Sequence, residues 1–578
     1  MSPRLSVVVP TYQRREVLAR TLPTLLEQDL PPGTFEVVVV VDGSTDGTAE
    51  MLEERFAGRP VRALLLPNGG PAAARNAGIR AARGELVLLL DDDLLCPPGL
   101  LAAHLAAQAS GPRVAFGPIV GMDGGGTAGE LMRTALDAYY ARMRDEWHPD
   151  TSPTAYAAPN TSVPREALLR SGGFDLRFAR ALEDADLGLR LREMGLPFVF
   201  LPDAPVHHLY AKSARELATR DAALHGAAEV ALCRTHPGQR RHSFLAGMAE
   251  GGGLRRRMRA AAARSPFAPE WLLRPAFEVA ERLPAAQLRR LRLALLSRRG
   301  YLGRLRAATA AAGSWDALAG EFGRRCPALL YHHVGPPLAG MPPALTCTPE
   351  RFERQMGFLH RRGYTAITAG RWLAWLESGA PLPPRPFVLT FDDGYAELVE
   401  HAFPVLRRYG FGATVYVVTA RIGGTNEWDA ADGVPQRPLL GPEQLRAWSR
   451  EGIEFGAHTR THPRLGTRAV NEVREEVEGS RAELEAAVGA PARTFAYPYG
   501  DAPPDARSAA AAYDLAFGIA EGVNTLATDP HLQHRTMVQP SDTLLDVELR
   551  ARLGRSPLSA ARARLRLRSR LAALLHGT

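Results

Sequence analysis

Leu86-Val87-Leu88-Leu89-Leu90-Asp91-Asp92-Asp93 is an apolar run that ends abruptly in three carboxylates. It follows Gly84 and is closed by Pro97-Pro98-Gly99, a length and punctuation that fit a buried strand better than a helix. Carboxylates leaving a buried strand need a positive partner, and the carboxyl ends of strands are where open α/β sheets place ligands. The simplest partner is a hard divalent cation bridging Asp93 to a diphosphate. A solvated acidic turn is the alternative, and the flanking sequence bears on the choice.

Upstream, Val7-Val8-Val9-Pro10-Thr11-Tyr12 reads as a strand running into a loop, followed by a helical pattern through Leu18, Leu22, Leu25 and Leu26. Phe35 to Val41 is nearly all Val, as expected of a parallel strand covered on both faces, and runs into Asp42-Gly43-Ser44-Thr45-Asp46-Gly47. Leu64-Leu65-Leu66 is a third strand, and Asn68-Gly69-Gly70-Pro71 opens a helix through Arg75 and Gly78. This alternation predicts a doubly wound, mostly parallel sheet with the acidic run as its fourth strand.

The chain has 578 residues, room for two to four domains. Apolar content of 46% and charge of 23% are those of an ordinary globular protein. Cys96, Cys233, Cys326 and Cys347 show no CxxC spacing, so reduced thiols in a reducing compartment are expected. No apolar run is long enough to span a bilayer, and Leu5 to Val9 already reads as a strand, so a signal peptide is not expected. The net charge of +8 is uneven: residues 251–325 hold 16 Arg against 5 acids, and residues 550–578 hold 8 Arg and no acid. The rest of the chain is therefore net acidic. Lys212 is the single lysine, a skew that a GC-rich genome explains without any partner.

The motifs VVPTYQR, VVDGSTDGT, NGGPAAARNAG and LLLDDD, in this order, resemble the large second family of inverting glycosyltransferases, which have the GT-A fold. Pro159-Asn160-Thr161, Ser171-Gly172-Gly173-Phe174-Asp175 and Leu182-Glu183-Asp184-Ala185-Asp186-Leu187 continue the likeness, which spans about residues 1–240. The resemblance implies that Pro10, Thr11 and Asp42 form the pocket for base and ribose, with Asp42 accepting from a uracil N–H. Arg75 would sit near the diphosphate. Asp91 and Asp93 would form the DxD pair, with Asp93 holding Mg²⁺ or Mn²⁺ to offset charge on the departing nucleotide diphosphate. Asp184 would be the general base that takes a proton from the acceptor hydroxyl. The plainer reading of Glu183-Asp184 is an acidic pair favoured by a helix N-terminus. His207-His208 falls where an imidazole could reach the same metal, but is read as a surface pair and left out of the site. The QxxRW signature of processive synthases is missing, since Leu291 follows Arg290 and His242 follows Arg241. An enzyme adding one or a few sugars is expected.

Residues 246–325 are read as a basic helical linker, with Leu288, Leu291, Leu295, Leu302 and Leu305 at helical spacing beside Arg289, Arg290, Arg292, Arg298 and Arg299. Its Leu face either packs on a domain or, as the sharper alternative, makes peripheral contact with anionic membrane. Few aromatics are present to stack on bases, so no nucleic-acid partner is expected.

A second α/β domain is expected over residues 326–545, a distorted (β/α) barrel, followed by a basic tail at 546–578 in which Leu567, Leu571, Leu574 and Leu575 fit a short helix. Phe387-Val388-Leu389-Thr390-Phe391-Asp392-Asp393-Gly394 repeats the theme of a strand ending in carboxylates. His458 and His462 stand at i and i+4, on one helical face or turn, a spacing that suits a metal. With Asp393 they make two imidazoles and a carboxylate, leaving a position open for water, the catalytic arrangement of a Zn²⁺-like ion.

LLYHHV, PERFERQMGFLHRRGYTAIT, LTFDDGY, HTRTHP and FAYPYG resemble the NodB-like polysaccharide deacetylases of carbohydrate esterase family four. The resemblance implies that Asp392 is the general base and that Asp393, His458 and His462 hold Zn²⁺ or a similar divalent transition metal. Leu532-Gln533-His534 fits the L-x-H of the family's acid motif, which makes His534 the candidate acid; Arg535 and Val538 equally suit a subfamily pattern without that histidine. Ala496 departs from the Arg of the third motif. The two resemblances imply a bifunctional enzyme that transfers a sugar, most simply N-acetylhexosamine from UDP-GlcNAc, to a glycan or lipid-linked acceptor and then N-deacetylates the product. The expected location is cytoplasmic, peripheral at the inner face of the membrane. A carbohydrate-binding or scaffolding protein with one or both sites inactive is the alternative.

Overall fold

The computed structural model describes residues 3–121, 126–146, 159–178, 181–209, 213–250, 253–264, 275–276, 278–279, 289–503, 508, 510–562 and 564. The chain forms two units, Met1–His236 with Arg257–Leu318, and Pro237–Arg256 with Ala319–Thr578.

In the first unit, β1 (Leu5–Thr11), β2 (Phe35–Asp42), β3 (Val61–Leu66) and β4 (Leu86–Leu89) are parallel. With β6 (Val114–Phe116), β8 (Thr161–Pro164) and β9 (Phe198–Phe200) they make a sheet in the order β3-β2-β1-β4-β8-β6-β9. Only β8 runs antiparallel to its neighbours. The Val-rich strands are buried on both faces: Val7, Val37, Val39 and Leu88 enter one core, and Val8, Val38, Val40 and Val87 enter the other. Leu5 is opposite both Phe35 and Leu86, so Thr11, Asp42 and the residues after Leu89 finish along one edge. A small sheet joins β5 (Leu94–Leu95), β7 (Ile119–Val120) and β10 (Val206–His208), with His208 opposite Leu94.

The stretch expected to be a linker, 246–325, is divided between the units. The Arg289–Ala311 helix packs on the Ala222–Thr235 helix of the first unit, burying Leu295, Leu296 and Leu305. The approach is close because Gly226 has no side chain: a Cβ there would fall 2.1 Å from the Arg304 carbonyl oxygen. Arg240, by contrast, is buried in the second unit, where its guanidinium donates to the carbonyls of Trp375, Leu376 and Glu321 and covers the Trp375 ring. The expected boundary at residue 245 therefore falls inside a segment that the second unit needs for packing. Residues 251–252, 265–274, 277 and 280–288 of the expected linker lie outside the described residues.

The second unit is a curled parallel sheet. Its strands are β11 (Cys326–Tyr331), β14 (Thr365–Ile367), β15 (Pro386–Phe391), β16 (Ala413–Val417), β17 (Ile453–Ala457), β18 (Thr494–Ala496) and β19 (Leu515–Phe517), while β12 (His333–Val334) pairs with β13 (Thr346–Cys347) outside it. β20 (Val523–Asn524) is antiparallel to the start of β11. The ring is distorted where it closes. β21 (Thr536–Met537) pairs with β11, while Gln533 makes a lone parallel bridge to Phe517, so one irregular segment spans the first and last strands. The core is filled by Phe352, Phe391, Phe403, Phe495 and their neighbours.

The expected tail at 546–578 begins too early. Helix Leu544–Leu553 crosses that boundary and buries Val547 and Ala551, and Arg550 donates to Asp542 at 2.7 Å and to Glu521 at 2.6 Å. The short helix expected around Leu567 to Leu575 lies outside the described residues.

Candidate active sites

The strand edge of the first unit gathers most of the residues expected there. Thr11 Oγ1 donates to Asp92 Oδ2 at 2.7 Å, and Arg14 Nη1 bridges Asp92 Oδ1 at 2.9 Å and Asp93 Oδ2 at 2.7 Å. Burial pushes Asp92 up to about 6; Arg14 and the Thr11 bond oppose that, and the flanking aspartates add to it. Asp93 Oδ1 is buried without a hydrogen-bond partner among the described residues and lies 3.4 Å from His208 Nε2. A buried carboxylate oxygen with no donor, facing an imidazole nitrogen, is a donor set suited to a divalent ion. The sequence alone reads His207-His208 as a surface pair; the pairing of β10 with β5, distant in the chain, brings His208 to Asp93.

Asp42 and Arg75 are more committed than expected. Asp42 accepts from the backbone N–H of Gly69 at 2.8 Å and Gly70 at 2.9 Å, so its carboxylate also holds the Asn68–Pro71 turn. Arg75 donates to Asp91 at 2.7 Å and to Glu183 at 2.9 Å and lies over the Phe174 ring. Burial would lower its pKa, but Asp91 and Glu183 outweigh burial and hold it above the ordinary value. The arginine thus ties the DxD segment to the start of the Glu183–Glu193 helix, where Asp184 stands half-buried in the first turn. Leu182 precedes it in the left-handed region, φ 61°, which turns the chain sharply into that helix. Pro10 is half-buried at the end of β1, and Asn160 is an interior residue donating to the Pro118 and Ala204 carbonyls.

In the second unit Asp393, His458 and His462 converge, all buried, with their ligand atoms within 4.8 Å of one another. The two histidines are not on a helix. His458 directly follows β17, and a loop with Thr459 and His462 both at φ 65° folds the second imidazole back toward the first. His458 Nδ1 lies 2.7 Å from the Ala496 carbonyl, which fixes Nε2 as the free nitrogen, 3.8 Å from Asp393 Oδ1. His462 Nε2 lies 3.5 Å from the same oxygen, and its ring is flanked by Trp428 and Tyr499. Burial, then Asp392 and Asp429, push Asp393 well above the carboxylate range, while burial keeps both imidazoles neutral. Neutral imidazoles beside a crowded carboxylate fit a Zn²⁺-type ion.

Asp392 faces a different partner. Arg535, fully buried, makes a bidentate pair with it at 2.6 and 3.0 Å. Burial pushes Asp392 upward, but Arg535 outweighs it and holds the carboxyl below its ordinary range. His332 follows β11 in register with Asp392, and burial pushes its pKa down to about 4.

His534 is not brought to this cluster. Its N–H donates to Asn524 Oδ1 at 2.7 Å, and Asn524 pairs with Cys326 at the N-terminal end of β11, the far end from Asp392. Adjacent side chains of an extended segment point to opposite faces, so Arg535, entering the barrel, turns His534 outward. Its ring lies where a Cβ on Gly522 would be, 2.7 Å from His534 Cγ.

Each unit thus carries a strand-end cluster of carboxylates and imidazoles suited to a divalent ion. The chain belongs to glycosyltransferase family 2 through its N-terminal part: the model "Glycosyl transferase family 2" matches residues 6–171, and "Polysaccharide deacetylase" matches residues 379–518. The N-acetylglucosaminyl-diphospho-decaprenol L-rhamnosyltransferase of Mycobacterium tuberculosis (strain CDC 1551 / Oshkosh) is 30% identical over 274 residues, covering 41% of this chain and 87% of that protein. The validoxylamine A glucosyltransferase of Streptomyces hygroscopicus subsp. limoneus is 34% identical over 229 residues, 34% of this chain and 49% of that protein. The chain spans about half the length of such Streptomyces relatives. Among solved structures, the Streptococcus pyogenes deacetylase PplD in complex with acetate is 22% identical with a TM-score of 0.34, covering 39% of this chain and 97% of that one.

Proposed function

We propose that the protein is a bifunctional enzyme that transfers an N-acetylhexosamine from a nucleotide-sugar, UDP-GlcNAc, to a glycan or lipid-linked acceptor and then removes the acetyl group. The observation that carries this reading is the buried Asp393, His458 and His462 cluster on the same chain as the Asp93 and His208 edge. A deacetylase needs an N-acetyl group, and a transferase on the same polypeptide supplies one at high local concentration. The name of the mycobacterial relative gives an acceptor that is a lipid diphosphate bearing N-acetylglucosamine, which favours a lipid-linked acceptor here. Nucleotide-sugars are cytoplasmic, so work at the inner face of the membrane follows; among the described residues no helix is long and apolar enough to cross a membrane.

At the first site, Pro10, Thr11 and Asp42 line the nucleoside pocket, and Asp93 with His208 would hold Mg²⁺ or Mn²⁺, which offsets charge on the leaving diphosphate. Arg75 positions Asp91 and Glu183. Asp184 takes the proton from the acceptor hydroxyl, whose oxygen attacks the anomeric carbon as the C–O bond to the diphosphate breaks. At the second site, Asp393, His458 and His462 would hold Zn²⁺ or a similar ion, which supplies Lewis acidity toward water and the acetamide oxygen. Asp392, held ionised by Arg535, takes a proton from the attacking water. The C–N bond then breaks, acetate leaves and the amine is protonated. His332, in register with Asp392, takes the place expected of His534 in moving that proton.

Incubation with UDP-GlcNAc and lipid-linked or glycan acceptors, scoring UDP and acetate separately, tests the reading. UDP release followed by acetate release is expected. Neither product with any N-acetylated donor and acceptor would favour a binding or scaffolding protein.

A further inference from the structure

The strand register of the second unit collects cations at the end of the barrel away from Asp392. Thr365 is opposite Pro386 and Ala328 is opposite Val388, so the residues just before β11, β14 and β15 stand side by side. They are Arg325, Tyr364 and Arg385. Helix Leu544–Leu553 crosses this end, and Glu548 and Arg552, one turn apart, share the face turned to it. With Arg362, which follows the Pro349–Arg361 helix, they line a cavity of about 430 Å³. Every one of these residues belongs to the second unit.

The charge in this cavity is unbalanced. Glu548 is the one carboxylate lining it, and Arg362 Nη2 donates to that carboxylate at 3.0 Å. Arg325, Arg385 and Arg552 are left without a carboxylate in the cavity. Arg385 is held in place, donating from Nη1 to the Arg362 carbonyl at 2.8 Å and lying over the Tyr364 ring at 5.4 Å. Its backbone sits at φ 42°, a region rare for residues other than glycine. Arg325 Nε is buried with no hydrogen-bond partner among the described residues. A buried N–H with no acceptor costs free energy, and cations that converge on one concavity repel each other. An anion in the cavity answers both costs.

We infer that this cavity is a binding site for a ligand that carries a diphosphate group. Guanidinium forks match phosphate oxygens in pairs, and the volume falls in the range of about 300–1,000 Å³ usual for small-molecule sites. A single phosphate carries a charge of about −2, too little for three guanidiniums, whereas two linked phosphates answer all three. The site lies at the other end of the strands from Asp392 and the metal-type trio, so it stands apart from the catalytic reading. Inorganic pyrophosphate and a lipid diphosphate share this chemistry, and the test separates them.

The test is calorimetric titration of the full chain with inorganic pyrophosphate, and it needs no turnover. Binding at one site, weakening as salt is raised, is expected. It should persist in the double variant Asp93→Asn, Asp393→Asn, which separates it from both metal-type clusters. Arg385→Ala with Arg552→Ala, both exposed positions, should weaken binding about tenfold or more while the chain melts as the parent does. Glu548→Gln should tighten it about threefold, because Arg362 is released to the ligand; a cavity that had merely collapsed would bind more weakly. Citrate, of similar charge in another geometry, should bind about tenfold more weakly than pyrophosphate. A second arm uses phosphatidylcholine vesicles with and without farnesyl diphosphate. Recruitment that needs Arg385 and Arg552 assigns a lipid diphosphate, and pyrophosphate binding without recruitment assigns a soluble one. No pyrophosphate binding, binding lost with the two aspartates, indifference to the arginine pair, weaker binding in Glu548→Gln or equal binding of citrate would overturn the inference.

Discussion

Arg535 and Asp392 show how much can hang on one pair of side chains. Both are buried, and the bidentate geometry leaves each with its charge answered. Removing one partner of such a pair strands the other charge in a low-dielectric interior. Arg535→Leu should therefore cost about 3–5 kcal/mol of stability at neutral pH, read by urea denaturation. The folded pKa of Asp392 lies below its unfolded value, so the pair's contribution is present above the unfolded pKa and lost as pH falls through the folded one. The parent should thus converge on the variant in strong acid. A second residue-scale expectation concerns the histidines. His332→Ala should slow acetate release by about a hundredfold or more, the range of a general acid–base residue. His534→Ala, at the other end of β11, should leave it nearly unchanged. The reverse ranking in steady-state assays would return His534 to the site.

At the scale of elements, His236 closes the Ala222–Thr235 helix and ties it to another. Its ring contacts Asp186 at 2.9 Å and Glu193 at 3.2 Å, at the two ends of the Glu183–Glu193 helix that presents Asp184. The hydrogen bond to Asp186 is the largest cause raising the His236 pKa. Stability from this contact is therefore full below the unfolded histidine pKa and is lost as pH rises through the folded value. Thermal melts of the parent should fall over that window, and His236→Gln should flatten the dependence. The C-terminal helix makes a parallel case. Thr543 caps it by accepting from Asp546 N, and Val547 and Ala551 fill the core beside β11. A chain ended at residue 541 should lose the cooperative melt of the second unit, because that core face would be opened.

For the whole molecule, the two strand-end clusters belong to separate units, and each should fail alone. Asp184→Asn should abolish UDP release yet still deacetylate a preformed N-acetylated product. Asp393→Asn should do the opposite. Chelation should stop both reactions, and add-back of Mg²⁺ or Mn²⁺ with Zn²⁺ should restore them separately. One variant silencing both activities would contradict two independent sites.

The strands and their acidic ends were legible in the linear chain. A period-two or all-apolar run ending in Asp is a local signal, and Val37 to Val41, Leu86 to Leu89 and Phe387 to Phe391 lie in the structure as they read. The metal-type trio Asp393, His458 and His462 was legible too, though its histidines come from a strand end and a loop, not a helix. What local pattern could not supply was the partner that arrives from far along the chain. His208 reaches Asp93 through the pairing of β10 with β5; Arg535 reaches Asp392, and His534 does not, because of which face of one irregular segment enters the barrel. The division of the basic linker and the start of the tail escaped for the same reason, since burial of Arg240, Leu305 and Val547 depends on surfaces that exist only once the sheets have formed. Periodicity and punctuation are properties of neighbours in sequence, and they determined the elements and their chemical ends. Charge pairing and burial are properties of neighbours in space, and only the tertiary structure decided which side chains meet.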